Sequence, residues 1–357
     1  MPKRKALMQR YAQLLIPLLS LLAVIVINLI VNPAFFTLAL RVNNAGNSVF
    51  AGNIISILDN GSELAILAIG MTLVTAATGG QDISVGANIA IAGGVVLRVL
   101  CGNEAAPASL HAPIIVAFLA CCAVAMLFGA FNGMLVSVFK IQPMIATLIL
   151  YTAGRSIGYW VGGGQIAKIS DPFFSYFGGF IPGVPIPTPI IITIACIAAI
   201  VLALRFTTLR LYTQSVGINE KSARLNGLNP LWIKFLTFLI IGVCVAISGF
   251  IKVSRMSTVN YSSIAQDIEM DAILAVAIGG NALGGGKFSI GGSILGAYTI
   301  QALMVTLYSM PGVTSESIRF YKALVIILLV SISSPVVKNG VSKIRMLRKK
   351  DIAREVV

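Results

Sequence analysis

Charge is what this sequence has least of. Only 11% of its 357 residues are Asp, Glu, Lys or Arg, and none occurs from Tyr11 to Leu40, Ala105 to Phe139, Pro172 to Leu204 or Phe288 to Ser315. A soluble chain of this length would divide into two or three domains. With 57% apolar residues and a mean hydropathy of +0.93, there is too little polar surface for that. Each charge-free run accommodates the roughly 20 apolar residues that cross a hydrocarbon core as a helix. One such run would suit a buried core helix, but four, with shorter ones between, mark a polytopic bundle.

Histidine is nearly absent: the single one, His111, falls in a predicted extracytoplasmic turn. No His/Cys/carboxylate cluster suits a metal, and no nucleophile has a base partner, so enzyme chemistry is not expected. Cys101, Cys121, Cys122, Cys196 and Cys244 show no paired spacing, and no disulfide is expected. A nucleotide-binding loop is missing too. Gly286-Lys287 would end a Walker A sequence, yet its first glycine falls on Asn281 and its Ser or Thr on Phe288. No cofactor is therefore expected on this chain; if ATP drives it, another subunit binds the nucleotide.

Acidic residues number 12 against 26 basic ones, a net charge of +14. Position argues against nucleic acid as the partner. Lys3, Arg4, Lys5 and Arg10 precede the first apolar run. Arg205, Arg210, Lys221, Arg224 and Lys234 lie in or beside one polar loop, and Lys338, Lys343, Arg345, Arg348, Lys349, Lys350 and Arg354 fill the tail. The positive-inside rule explains this bias and puts both termini and the central loop in the cytoplasm, with an even number of crossings. The first run is too long for a signal-peptide core and is read as a retained anchor.

The apolar pattern predicts an all-α polytopic transmembrane bundle, a single domain over 1–357 with its core at 12–337. About ten spans are read: 12–32, 54–76, 83–101, 113–138, 143–161, 188–206, 232–252, 268–284, 287–309 and 319–337. Trp160 and Trp232 fall at opposite predicted interfaces, as aromatic belts do. Segment 162–187, rich in Gly, Pro and aromatics, reads as an extracytoplasmic connection. Spans 54–76 and 268–284 are glycine-interrupted candidates for broken or re-entrant helices, a form confined to backbone covered by protein or lining a wet cavity. An internal repeat adds to this. Gly79, Gly80, Ser84 and Gly86 coincide with Gly284, Gly285, Ser289 and Gly291 at an offset of 205, and glycine breaks repeated in two halves point to a transport site between them.

The polar loop 206–231 carries a second signal. Gly217 to Gly227 reads as a two-turn helix, with Asn219 as its N-cap, Glu220 in its first turn and Gly227 as a left-handed C-cap. Glu220 and Arg224 are spaced as an i,i+4 pair, and Ala223 and Leu225 would offer a small apolar surface to a partner. Such a helix outside the membrane is suited to passing a partner's motion into the bundle.

Gly217-x-Asn219 followed by Ser222-Ala223-Arg224-Leu225-x-Gly227 resembles the coupling-helix motif of the ribose-type ABC sugar permeases, in the branched-chain-permease-like superfamily. The segments from Gly79 to Gly86, Phe131 to Val136, Lys140 to Leu148, Glu269 to Ile273 and Gly279 to Gly285 agree with that family, over about residues 54 to 335. Ala68 to Val74, Gln142-Pro143 and Pro187-Thr188-Pro189 look most like the galactofuranose-type permeases. Gln81 departs from the usual aliphatic residue, and Asn281 from the usual Thr or Ser. The resemblance implies a subunit of an ATP-driven sugar importer in the bacterial inner membrane. Its partners would be an ABC ATPase subunit, a second permease (identical or homologous) and an extracytoplasmic sugar-binding protein.

Polar groups inside a membrane are costly and stand as functional candidates. Asp82 is placed to cap the helix that begins near Ile83, as an alternative to touching sugar. Asn88, Asn132, Gln81 and Asn281 are candidates for the pathway or for interhelical hydrogen bonds. Arg155 would snorkel outward or pair with a carboxylate. Glu63, Glu269 and Asp271 are read as helix-dipole or interface groups. The Phe35-Phe36 and Phe173-Phe174 pairs are read as interfacial anchors. The competing readings are an ion-coupled secondary transporter of a small polar solute, a membrane enzyme and a passive channel.

Overall fold

The structure is a computed structural model that describes residues 17–30, 32–42, 46–310, 312–314 and 317–333. The basic tail, the N-terminal cations and the ends of the first and last predicted spans lie outside the described residues.

Helix α1 (Pro17–Ile30) leads through a short turn of helix at Pro33–Phe36 into a β-hairpin of β1 (Ala39–Val42) and β2 (Ser48–Ala51), where Ala39 pairs with Ala51. The all-α expectation thus missed one two-stranded element. It is too short to carry a hydropathy signal, and three of its four cross-strand pairs join an apolar or small residue to another. Thereafter the chain is helical: α2 (Asn53–Thr78), α3 (Val85–Cys101), α4 (Ile114–Ser137), α5 (Pro143–Val161), the single turn α6 (Pro172–Ser175), α7 (Thr188–Phe206), α8 (Leu209–Ile218) and α9 (Glu220–Leu225). It continues with α10 (Pro230–Met256), α11 (Ile268–Ile278), α12 (Ile290–Ser309) and α13 (Ile318–Ser333).

Five of these helices, α2, α4, α7, α10 and α12, are long and apolar enough to cross a membrane. The sequence reading of about ten exceeds that number. Over the described residues α1 and α13 are shorter than a full span, as is α3; α5 has the length but not the apolarity, and α11 has only 11 residues. At 1.5 Å per residue α11 extends about 16 Å, half a hydrocarbon core.

Helix α2 is the axis of the bundle. It is buried all round from Gly61 to Ala77, and α7, α10, α11 and α12 pack against it. The predicted break inside 54–76 does not occur: α2 runs unbroken and ends at Gly79, whose φ of +66° makes a left-handed cap. Close approach elsewhere depends on small residues, because lipid gives helices no hydrophobic reason to associate. A side chain at Gly94 or Gly158 would strike the facing backbone between α3 and α5, and Gly129 and Gly242 serve α4 and α10 likewise. Helices α4 and α7 instead expose long apolar side chains such as Leu119, Leu127, Ile194 and Leu202, the surface expected of a lipid-facing rim.

The predicted broken or re-entrant span 268–284 is interrupted within its bounds, since α11 ends at Gly279, and a second irregular stretch precedes it. Residues 257–267 are irregular and feed α11 from its N-terminal side, with Ser257, Ala265 and Asp267 at φ of +55°, +51° and +64°. Each left-handed non-glycine residue costs on the order of 1–3 kcal/mol, and such strain gathers at functional places. Arg155 of α5 holds the segment: its guanidinium donates to the carbonyl oxygens of Tyr261 (3.1 Å), Ser262 (3.3 Å) and Ile264 (2.8 Å). It makes no direct ion pair with a carboxylate, although its charge acts on Glu269, and its hydrogen bonds satisfy backbone that no helix satisfies.

Candidate functional site

Two polar regions stand at opposite ends of the bundle. The first gathers the two glycine turns of the repeat. Residues 79–84 join α2 to α3, residues 279–289 join α11 to α12, and the matched Ser84 and Ser289 both occupy N-cap positions. The turns are in direct contact. Gln81 donates its Nε2 to the Leu283 carbonyl (3.0 Å), Gly286 donates its N–H to the Ala76 carbonyl (2.9 Å), and Gly79 leaves no room for a side chain against Gly284.

The polar candidates at this end are engaged by protein. The Asp82 carboxylate accepts from the N–H (2.8 Å) and Oγ (2.6 Å) of Ser84, and Asn132 of α4 donates to the same Ser84 Oγ (2.8 Å). Asp82 thus fixes the start of α3 while Asn132 ties that start to α4. Asn88 donates to the Ala125 carbonyl across the α3–α4 interface (3.2 Å). Asn281 spans its own turn, accepting from Ser289 N–H (2.6 Å) and donating to the Val276 carbonyl (3.1 Å) and Ser293 Oγ (2.8 Å). Ser293 in turn meets Thr72 of α2 (2.6 Å). All five candidates are buried, in a region that joins two turns and the starts of α3 and α12.

The loop 206–231 closes over these turns, and here the sequence expectations divide. The Asn219 side chain caps α9 by accepting from Ser222 N–H (3.0 Å), and Gly227 has the left-handed φ of +78° that ends it. Gly217, expected in the same helix, instead lies in the last turn of α8. A side chain there would collide with the Ala76 carbonyl and the Gly286 amide, so α8 bears on both glycine turns at once. Glu220 pairs with Lys234 of α10 (2.6 Å) and not with Arg224, because the chain folds back so that the first turn of α10 faces α9. Ala223 is buried against Val216 and Ile233, which removes it from any outward surface, whereas Leu225 is 89% exposed. Ser222 and Arg224 lie on the exposed side with Leu225. Trp232, exposed and stacked on Phe235, marks this end, and exposed Trp160 marks the other.

At that other end lies a charge network the sequence reading left unconnected. Glu63 of α2, only 2% exposed, meets Lys252 (2.8 Å) and Arg255 (3.5 Å) of α10, and Arg255 also holds Asp59 (2.9 Å) and the Asn60 side chain (2.5 Å). Asp271 of α11 pairs with Lys322, and Asp267 with Arg319 (3.4 Å), both on α13. Glu63 and Asp271 thus act across interfaces, and Asp271 also stands in the first turn of α11, where a carboxylate favours the helix dipole. Glu269 is buried beside Gly86, a glycine whose side chain would occupy the carboxylate's place. The missed residues, Lys252, Arg255 and Lys322, left one signal: Asp59 and Glu63 at i,i+4 and Lys252 and Arg255 at i,i+3 place like charges on single helix faces. The expected aromatic anchors are partly internal, since Phe35 and Phe174 are fully buried, Phe174 against Phe250 (5.5 Å).

The family described as branched-chain amino acid transport system / permease component is matched over residues 53–333. The galactofuranose transporter permease protein of Escherichia coli is 35% identical over 94% of this chain and 92% of its own length. The fructose import permease protein of Bifidobacterium longum is 32% identical over 90% and 88%, and the ribose import permease protein of Escherichia coli 32% over 89% and 92%. No solved structure matches the chain.

Proposed function

The chain belongs to the branched-chain amino acid transport system / permease component family, and from that membership we propose that it is the membrane-spanning permease subunit of an ATP-driven ABC sugar importer. Its similarity to permeases named for galactofuranose, fructose and ribose supports a monosaccharide as cargo. In this reading about ten segments cross the inner membrane with both termini in the cytoplasm. A separate ATPase subunit binds the nucleotide, a second permease completes the pathway, and an extracytoplasmic protein delivers the sugar. The chain itself carries out no chemistry.

The observation that carries the reading is the seating of Gly217. Helix α9 presents Leu225 to the outside, α8 precedes it after a single residue, and the end of α8 rests without a side chain on Ala76 and Gly286. A push on α9 is thereby delivered to both glycine turns, where α2, α3, α11 and α12 begin or end. Packed interfaces answer such displacements by switching between discrete arrangements rather than by stretching. ATPase closure would move the bundle between outward- and inward-facing states in this way, because each ligand shifts the equilibrium only through differential contact with the two.

Affinity purification of the chain in mild detergent tests the proposal. Co-elution of an ATPase and a permease, with ATP-dependent sugar uptake after reconstitution, is expected. The buried carboxylates Glu63 and Glu269 give the ion-coupled reading its best footing. Uptake driven by an ion gradient with no ATPase present would favour it.

A further inference from the structure

At the end of the bundle remote from Gly217, α2, α10, α11, α12 and the irregular 257–267 stretch line a half-open cavity of about 500 Å³. Its polar wall includes Asn60, Glu63, Lys252, Arg255, Gln266 and Gln301. We propose that this cavity is a binding site for the transported solute, selecting an uncharged, hydroxyl-rich molecule of monosaccharide size. The inference rests on the importer reading and deepens it by placing the cargo.

The cavity's charges cancel among themselves. Glu63 faces Lys252 and Arg255, Arg255 also faces Asp59, and Asp271, a further lining residue, faces Lys322. Among the lining residues themselves, two carboxylates, Glu63 and Asp271, stand against two cations, Lys252 and Arg255. An ionic solute would find no net countercharge and would lose its hydration, a cost that buried ions escape only when paired. A hydroxyl group suits this wall better, since it donates to carboxylate and amide oxygens and accepts from ammonium, guanidinium and amide N–H groups.

Hydrogen-bonding capacity also remains. The amides of Gln266 and Gln301 add neutral donors and acceptors. Met304 and the exposed Tyr308 supply apolar surface for the C–H face of a sugar ring. The volume lies in the range of small-molecule sites.

Position ties the cavity to the lever. Ile268 and Asp271, in the first turn of α11, line it, and the other end of α11 is the glycine turn that meets Gly79 and Gly292. One short helix of about 16 Å therefore joins cargo to coupling end. Its N-terminal approach is the strained backbone of Ala265 and Asp267, and non-helical backbone is tolerated at depth where it lines a wet cavity.

The test uses the complete transporter in proteoliposomes with its ATPase and binding protein. A panel of radiolabelled uncharged pentoses and hexoses first identifies a transported sugar; no ATP-dependent uptake of any of them overturns the importer reading and this site with it. With a transported sugar in hand, Gln301→Cys is labelled by a polar maleimide. Sugar should slow labelling by 1 + [sugar]/Kd, roughly tenfold when sugar stands about tenfold above Kd. Labelling of Leu225→Cys at the opposite end should not change, nor should the corresponding sugar acid anion protect Gln301→Cys. Asn60→Cys repeats the measurement on α2 should the first variant fail to assemble. Equal labelling with and without sugar, in a transporter that still takes it up, overturns the site alone. Equal protection by the acid anion overturns the selectivity.

Discussion

Gly286 donates its backbone N–H to the carbonyl oxygen of Ala76 at 2.9 Å, joining the end of α2 to a turn more than two hundred residues later. Gly217 lies against both partners of that bond. A hydrogen bond between two halves of a chain, covered by a third segment, makes a place where movement of one is felt by all.

Gly217→Val should therefore do more harm than a loop substitution. Overpacking at a close backbone approach costs typically 1–3 kcal/mol. The expected outcome is a lowered melting temperature in detergent and loss of ATP-coupled uptake, with membrane insertion retained. A variant with wild-type melting and uptake would remove Gly217 from the coupling route.

Leu225 and Ala223 separate docking from folding. Leu225→Ala should leave the stability within about 0.5 kcal/mol of the parent, as exposed substitutions do, while reducing ATPase recovery in pull-downs. Ala223→Glu puts an unpaired carboxylate between Val216 and Ile233 and should lower protein yield itself. If Ala223→Glu folds normally and loses only the ATPase, Ala223 belongs to the docking surface after all.

Asp82→Ala would leave the Ser84 N–H and Oγ without their acceptor, and Asn132 bonded to an unanchored hydroxyl. Each buried group so stranded costs about 1–3 kcal/mol. Reduced thermal stability is expected, with Asp82→Asn recovering part of it because the amide oxygen still accepts. Full stability with slowed transport would instead put Asp82 in contact with the cargo.

Much of this was readable from local pattern. The Asn219 cap and the Gly227 turn follow from chemistry within four residues, and the glycine repeat marked both turns before their contact was known. What failed was what a single helix cannot specify. Which face of the six-residue α9 is buried depends on Ile233, ten residues beyond Ala223, and the Glu220 partner depends on how α10 returns. Arg155 was read with the two usual fates of an intramembrane cation, since nothing near it in sequence announces three bare carbonyls from residues a hundred positions later. Glu63 falls inside the predicted span 54–76 and Lys252 at the end of 232–252, and only packing of α2 on α10 makes them a pair.

Arg155→Met should expose that dependence. Three carbonyl oxygens would lose their donor, and hydrogen exchange across 257–267 should accelerate markedly more than elsewhere. Arg155→Lys should restore only part of the protection, because the shorter lysine side chain stops short of the place where the Arg155 Nη1 meets all three carbonyls. Uniform exchange in both variants would show that the segment is held by other contacts.

Helix α11 has a consequence for biogenesis. A stretch of 11 residues cannot partition into lipid by itself, and the backbone leading to it carries polar groups that only α5 and its surroundings can answer. The portion from 257 to 278 must accordingly wait in a wet or translocon-shielded setting until α5 stands in place and α12 has been synthesised. Docking of this portion is thus a late step of assembly, completed only when Arg319 and Lys322 of α13 meet Asp267 and Asp271.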